Sequence, residues 1–337
     1  MKYTYAPNNL DLLRLILASS VIFLHLKHLS GSLYLYDIFG SIDWLSSRAV
    51  PAFFVVSGFL IFMSFEKTNN LKRYVIARFL RLYPAFIVLI TICVVFGFLN
   101  SFGKEQSVYW IGAAKYYLAN ITFMNFISPS LPFLFEDNST SVVNGALWTL
   151  KIEVMFYMLV PFIFYILNRY NQILILSVLF LSSAIYLLAL FIGENYFGFT
   201  VPKALFNQLP AYMHYFTFGI IMYLYYGFLN KYKFRLFIAA SIIVFLGGGY
   251  FEPIMIGMII LILFVQPRNY LSFKKFGDIS YGVYIFHFPI IQLFVANVGF
   301  DKYPVVISFA AVFLTYVLAF ISWHLLEKRM LNFKKEV

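Results

Sequence analysis

Arg14 and His25, both in the first apolar run of the chain, are residue types that bind anions and move protons. They stand eleven positions apart. At about 100° per residue that is three turns plus about 20°, so a helix carries both on one face, about 16 Å apart. A guanidinium binds phosphate or carboxylate through charge-assisted hydrogen bonds, and an imidazole near neutrality serves as general base or nucleophile. Asp11 joins the stripe one turn earlier and is spaced to pair with Arg14. Similar groups recur in other apolar surroundings: Arg78 and Arg81, a helical turn apart and just before Tyr83 and Pro84; Lys151 and Glu153, between Trp148 and Tyr157; and His287, after Tyr281 and Tyr284. Lys151 and Glu153 differ by about 200° around a helix, so each needs its own partner.

The elements that position these residues are membrane helices. Of 337 residues, 62% are hydrophobic and only 12% charged, against the roughly 25% charged that a soluble surface needs. Forty-two Phe, 26 Tyr and a mean hydropathy of +0.83 exclude a disordered chain. The single Cys93 excludes an intramolecular disulfide and a thiolate metal cluster, and no metal is expected. Apolar runs approaching the roughly 20 residues that cross a bilayer lie at Leu10 to Leu29, Val50 to Phe65, Leu82 to Asn100, Ala146 to Asn168 and Ile173 to Ile192. Five more follow, at Pro210 to Leu229, Leu236 to Tyr250, Pro253 to Val265, Ile279 to Asn297 and Tyr303 to Leu326. The expected fold is an all-α integral membrane protein, a bundle of about ten transmembrane helices forming one domain over residues 1–337.

An even number of crossings returns both termini to one side, and the basic residues choose that side. Lys67, Lys72, Arg73, Arg78 and Arg81 share one loop; Lys231, Lys233 and Arg235 a second; Arg268, Lys274 and Lys275 a third; Lys328, Arg329, Lys334 and Lys335 form the tail. With Lys2 and Arg169 they occupy one face if the N-terminus is inside, against Lys27, Arg48, Lys104, Lys115, Lys203 and Lys302 opposite. By the positive-inside rule both termini are cytoplasmic, in a multi-pass protein of the plasma (inner) membrane. The net charge of +11 is thereby accounted for by orientation in a lipid membrane, without a nucleic-acid partner. Asp11 and Arg14 interrupt the first run, and no small-residue cleavage site follows it, so it reads as a retained span and not a signal peptide. The stretch from about 101 to 145 is then an extracytoplasmic loop, with Trp110, Tyr116 and Tyr117 as aromatic surfaces for a sugar or as an interfacial belt.

A charge at mid-bilayer costs about 2.5–3.5 kcal/mol on insertion scales, so it normally faces a bundle interior or a wet cavity. Arg14 with His25 is the pair for which that cost most strongly implies function. Arg78 and Arg81 also read as ordinary inside anchors, and His287 as a core histidine bonded to a carbonyl. His28 and His214, near outer helix ends, and His324 and Glu327, near the inner end of the last run, read as interfacial. His25 and Glu153 come to matching depths, about 8 and 9 Å below the outer edge of a roughly 30 Å core.

In combination these segments resemble the membrane acyltransferase-3 family over nearly the whole chain. The matching segments are Arg14 and His25 in LDLLRLILASSVIFLH; FFVVSGFLI from Phe53; the Arg-x-x-Arg-hydrophobic-Tyr-Pro segment from Arg78 to Pro84; Trp148 to Tyr157; and Ser280 to His287. The chain departs from the family pattern with Thr149 where Ser is usual and with Lys151 inside the Glu153 motif. It resembles the stand-alone form, without the C-terminal SGNH esterase-like domain of many relatives.

The resemblance implies an O-acyltransferase, O-acetyl above all. His25 would be the catalytic histidine, with Arg14 its companion and Glu153 a catalytic carboxylate. Arg78, Arg81 and Arg14 would hold acyl-coenzyme A, with acetyl-coenzyme A the expected donor, and Trp148, Tyr157, His287 and Trp110 would contact the acceptor. The expected acceptor is an extracytoplasmic or lipid-linked glycan, with separate glycan-assembly proteins as further partners. His25, oriented by a carboxylate such as Glu153, acts as base or forms an acyl-histidine. A transporter or flippase of a lipid-linked sugar is the rival reading, since polar stripes also mark transport paths.

Overall fold

The computed structural model describes residues 2–3, 8–265 and 277–333. Arg268, Lys274, Lys275, Lys334 and Lys335 therefore lie outside the described residues. In chain order the helices are α1 (Leu10–Leu29), α2 (Leu33–Gly40), α3 (Asp43–Thr68), α4 (Leu71–Asn100), α5 (Gln106–Ile121), α6 (Trp148–Arg169) and α7 (Gln172–Asn195). They continue with α8 (Lys203–Phe206), α9 (Leu209–Leu224), α10 (Tyr226–Phe245), α11 (Glu252–Ile260), α12 (Ser280–Asn297), α13 (Pro304–Ser322) and α14 (Lys328–Phe333). Among the described residues there is no β-strand, only an isolated bridge between Ser130 and Val142.

The protein is all-helical, and six helical stretches among the described residues are long and apolar enough to cross a membrane. They are α1, α3, α4, Gly145–Arg169, α7 and Pro304–Phe333. Each of the ten expected runs falls on helix, but two boundaries move. The run from Pro210 to Leu229 breaks at Tyr225, between α9 and α10, and α10 ends at Phe245, ahead of Gly247, Gly248 and Gly249. The stretch expected as an open loop at 101–145 contains the 16-residue α5, whose Tyr109 and Tyr116 are buried. Tyr109 donates to the Val94 carbonyl of α4, and Tyr83 of α4 donates to the Ile121 carbonyl at the end of α5. Burial removes Tyr116 from the surfaces that could stack on a sugar.

The chain packs as two units. The first takes Met1–Leu13, Val50–Tyr74 and Ile152–Ser272. Its core is aromatic, with Phe156 stacked on Phe216 at 4.0 Å between ring centres and Phe65 set edge-on to Tyr74 and Phe164. Pro161 inside α6 has no N–H for the carbonyl four residues back, Tyr157; Tyr74 donates to that carbonyl instead, at 3.0 Å. Helices α3 and α9 touch backbone to backbone at Gly58 and Gly219, where a Cβ on Gly219 would meet the Val55 carbonyl at 2.1 Å. Small residues allow such crossings in membranes. Gly219→Ala should therefore destabilise the protein by about 1–3 kcal/mol through overpacking, read as a lower unfolding temperature in detergent. An unchanged temperature would contradict the close crossing.

The second unit takes Arg14–Ala49, Val75–Lys151 and Phe273–Val337. In it α12 is buried from Ser280 to Gln292 and is tied on several sides. Tyr281 donates to the Leu82 carbonyl of α4 at 2.9 Å, and Gln292, fully buried, donates to the Thr140 and Val142 carbonyls. From α1, Ser19 shares a 2.5 Å hydrogen bond with Tyr316 of α13.

Candidate active site

Two clusters of charged and imidazole side chains lie in this second unit, on α1, α4, α12 and the segments that flank α12 and α13. Arg14 Nη1 of α1 and Arg81 Nη2 of α4 both reach Oδ2 of Asp278 at 2.5 Å, and Ser280 donates to its Oδ1 at 2.6 Å. Asp278 just precedes α12, so this ion cluster ties three helices. Arg14 takes Asp278 as its partner in place of Asp11, the partner its spacing suggested. The bend into α12 is made by Gly277, whose φ of +82° suits glycine and whose missing Cβ leaves room for the Trp323 ring. Arg81 also lies over the Tyr281 and Trp323 rings, 5.8 Å from each centre. Arg78 is half-buried one turn before Arg81.

Glu327 is the residue near this cluster whose placement differs most from its interfacial reading. It is 1% exposed, in a π-helical turn Trp323–Glu327 after α13. Its Oε1 accepts from Ser322, while Oε2 is buried without a hydrogen bond. His214, also read as interfacial, is buried in the first unit, where its Nδ1 bonds Ser183 at 2.8 Å.

Burial alone would raise the Asp278 carboxyl. Arg14 and Arg81, with the Ser280 hydroxyl, outweigh that and hold it well below the usual carboxylate range. A depressed carboxylate contributes its stability in full above its unfolded value of about 3.9 and loses it as pH falls toward the folded value. Asp278→Asn should thus cost about 3 kcal/mol at pH 7, since two guanidiniums lose their counter-charge, and the gap to the parent should narrow below about pH 3.9. Unfolding temperatures of the two proteins across pH provide the check, and a gap equally wide in acid would contradict the pairing.

The second cluster lies further along the same two helices. His25 Nδ1 is 3.0 Å from the Val21 carbonyl and 3.0 Å from His287 Nε2, and His287 Nδ1 is 3.2 Å from the Val283 carbonyl. The two rings are 5.0 Å apart, Phe288 stands edge-on to His25, and His287 is fully buried. The orienting partners of His25 are thus a backbone carbonyl and a second histidine, where a carboxylate was expected. Thr149 shares a 2.6 Å hydrogen bond with Tyr284, one turn before His287, so the Thr that replaces Ser still supplies the hydroxyl.

Two residues after His287, Pro289 interrupts the hydrogen-bond ladder of α12 and leaves the Ile285 carbonyl without its helical donor. Asn144 Nδ2 donates to that carbonyl at 2.8 Å, and its Oδ1 accepts from the Ala146 amide. Beside this bend, Phe286, Pro289 and Ile290 of α12, with Leu89 and Cys93 of α4 and Leu318 of α13, line an apolar cavity of about 390 Å³. Neither Arg14 nor His25 is among its lining residues.

The remaining expected site residues have surroundings of their own. Glu153, in the first unit, accepts a 2.5 Å hydrogen bond from Tyr157 on the next turn of α6. Trp148 is half-buried at the start of α6, and Trp110 is 52% exposed on α5. Sequence reasoning missed Asp278, Asn144 and Gln292. The one available signal was Asp278 itself, a lone acid at the mouth of an apolar run.

The chain was compared with known proteins. The sequence model of a family described as an acyltransferase domain matches residues 8–324. Nodulation protein 10 of Rhizobium leguminosarum bv. viciae is 26% identical over 360 residues, covering 95% of this chain and 92% of that protein. An O-acetyl transferase of Shigella phage Sf6 is 26% identical over 344 residues, covering 97% of each. The O-acetyltransferase OatA of Staphylococcus aureus (strain NCTC 8325 / PS 47) is 25% identical over 375 residues, covering 96% of this chain and 57% of OatA. No solved structure matches. Since the match takes in both the Arg14–Arg81–Asp278 cluster and the His25–His287 pair, this chain, a multi-pass membrane O-acyltransferase, belongs to the acyltransferase-3 family.

Proposed function

We propose that the enzyme moves an acyl group, acetyl by expectation, from cytoplasmic acyl-coenzyme A to a hydroxyl of an extracytoplasmic or lipid-linked glycan, with His25 as the base. The enzyme sits in the plasma (inner) membrane, crossed by the ten apolar runs with both termini cytoplasmic. The observation that carries this reading is the shared order of the two clusters. Helix α1 meets Asp278 with Arg14, and eleven residues later meets His287 with His25; the α12 side advances nine residues, from Asp278 to His287. At 1.5 Å per residue the clusters are about 13–16 Å apart along parallel helices, the order of an extended pantetheine arm. Phosphates of the donor at Arg14, Arg78 and Arg81 then bring the thioester toward His25.

In the transfer, His25 Nε2 takes the proton of the acceptor hydroxyl while its oxygen bonds to the thioester carbonyl carbon. The carbon–sulfur bond breaks as the tetrahedral intermediate collapses, and the leaving thiolate takes up the proton from the imidazolium. Trp148 and Trp110 are retained as acceptor contacts, while Glu153 and Tyr157, hydrogen-bonded to each other on α6, take no step in this transfer. The names of two relatives as O-acetyl transferases favour acetyl as the group.

The test supplies the protein in liposomes with acetyl-coenzyme A labelled in its acetyl group and a polysaccharide or lipid-linked glycan. Label recovered as an O-ester on the glycan is the expected result. Glycan crossing the membrane without label transfer would overturn the proposal in favour of a flippase.

A further inference from the structure

The contacts of the two histidines determine which ring nitrogens carry protons. A backbone carbonyl only accepts, so the nitrogen facing it in each ring must donate. That nitrogen is Nδ1 in both: His25 toward Val21 and His287 toward Val283. A neutral imidazole has one N–H, so with His287 Nδ1 protonated its Nε2 is a bare lone pair. It lies 3.0 Å from His25 Nδ1, whose single proton it shares with the Val21 carbonyl. His25 Nε2 is then also a bare lone pair, and it makes no hydrogen bond among the described residues.

We propose that His287 is a positioning residue: its Nε2 lone pair holds the His25 proton on Nδ1, so that His25 presents an unprotonated Nε2 to the reacting hydroxyl. This departs from the acceptor-contact role expected for His287, and it rests on the reading of His25 as base. The side chain best placed to act as a lone-pair acceptor for His25 is thus a second histidine 262 residues away. A neutral partner suits the site, because a buried carboxylate would add the desolvation cost of a charge, whereas an imidazole lone pair orients the ring without one. When His25 becomes an imidazolium, the same lone pair accepts from its Nδ1–H, now a stronger donor. Further ties on α12 hold His287 in register, among them Thr149 on Tyr284, Asn144 on the Ile285 carbonyl, and Gln292 on the Thr140 and Val142 carbonyls.

The experiment compares His287→Phe, which keeps an aromatic ring and removes the lone pair, with His287→Gln, whose Oε1 can accept from His25 Nδ1–H. Acetyl transfer and the donor KM are measured on protein of matched amount and matched unfolding temperature, beside His25→Ala. Phe should lower kcat about 100-fold with donor KM within about twofold of the parent, and Gln should return kcat to within about 10-fold. Equal loss in both variants, or full activity in the Phe variant, would overturn the role given to His287. Loss of activity in His25→Ala together with either of those outcomes leaves His25 as base and removes only His287. Full activity in His25→Ala removes the reading beneath both.

Discussion

His25→Ala should lower acyl transfer at least 100-fold in membranes containing normal amounts of protein, and this is the largest effect expected of any single substitution. A positioned base contributes about 10²–10⁴ to a rate, and no other group bonded to His25 replaces its Nε2. Val21 offers only a carbonyl, and the His287 Nε2 lone pair is directed at His25 Nδ1, on the other side of the ring from Nε2. The donor KM should move little, because the thioester carbonyl is a small part of the donor's contacts. His25→Gln should be about as inactive, since an amide hydrogen-bonds but does not take a proton near pH 7. Transfer at the parental rate by either variant would end the proposal that His25 is the base.

The second large effect is expected at Arg81. Hydrogen bonds to charged groups contribute about 1.5–3 kcal/mol, so Arg81→Ala should raise the donor KM about 10- to 100-fold with a smaller change in kcat. Arg81→Lys should recover little, because an ammonium lacks the planar fork that reaches carboxylate and phosphate together. The Arg81 side chain is 12% exposed and its guanidinium already engaged with Asp278, so part of the loss will be structural. Asp278→Asn separates the two contributions, since it disturbs the cluster without removing a phosphate ligand. An Arg81→Ala protein that binds acetyl-coenzyme A like the parent in equilibrium binding would return Arg81 to a tie between α4 and α12.

Local pattern made much of this legible. Arg14, His25 and His287 are visible because each interrupts an apolar run, where an ionisable group is costly unless it serves a purpose, and Arg78 and Arg81 because they lead into one a helical turn apart. The ten apolar runs fall largely on helix, six helical stretches among the described residues being long and apolar enough to cross a membrane, because length and hydropathy are local properties. Helix α5 was passed over because its Lys115, Asn120 and interleaved tyrosines are less uniformly apolar than the runs around it. The interfacial readings of Glu327 and His214 went astray for a related reason: position along a helix says how deep a residue lies but not which neighbour covers it. Each is buried by contacts with its own unit, one bonded by Ser322 and the other bonded to Ser183.

The sequence by itself determined the kind of protein: a chain too apolar for water, largely helical in its runs, with a basic–imidazole stripe on its first helix and a resemblance to a family whose sequence model matches residues 8–324. Pairing was decided only by the tertiary structure. Asp278 lies 264 residues from Arg14, and His287 lies 262 from His25. Pro289 and Pro161 could be read as helix interruptions, yet the donors that satisfy the freed carbonyls, Asn144 and Tyr74, come from distant segments. The physical reason is that helical spacing fixes which residues share a face, whereas the partner across from that face depends on which helix packs there.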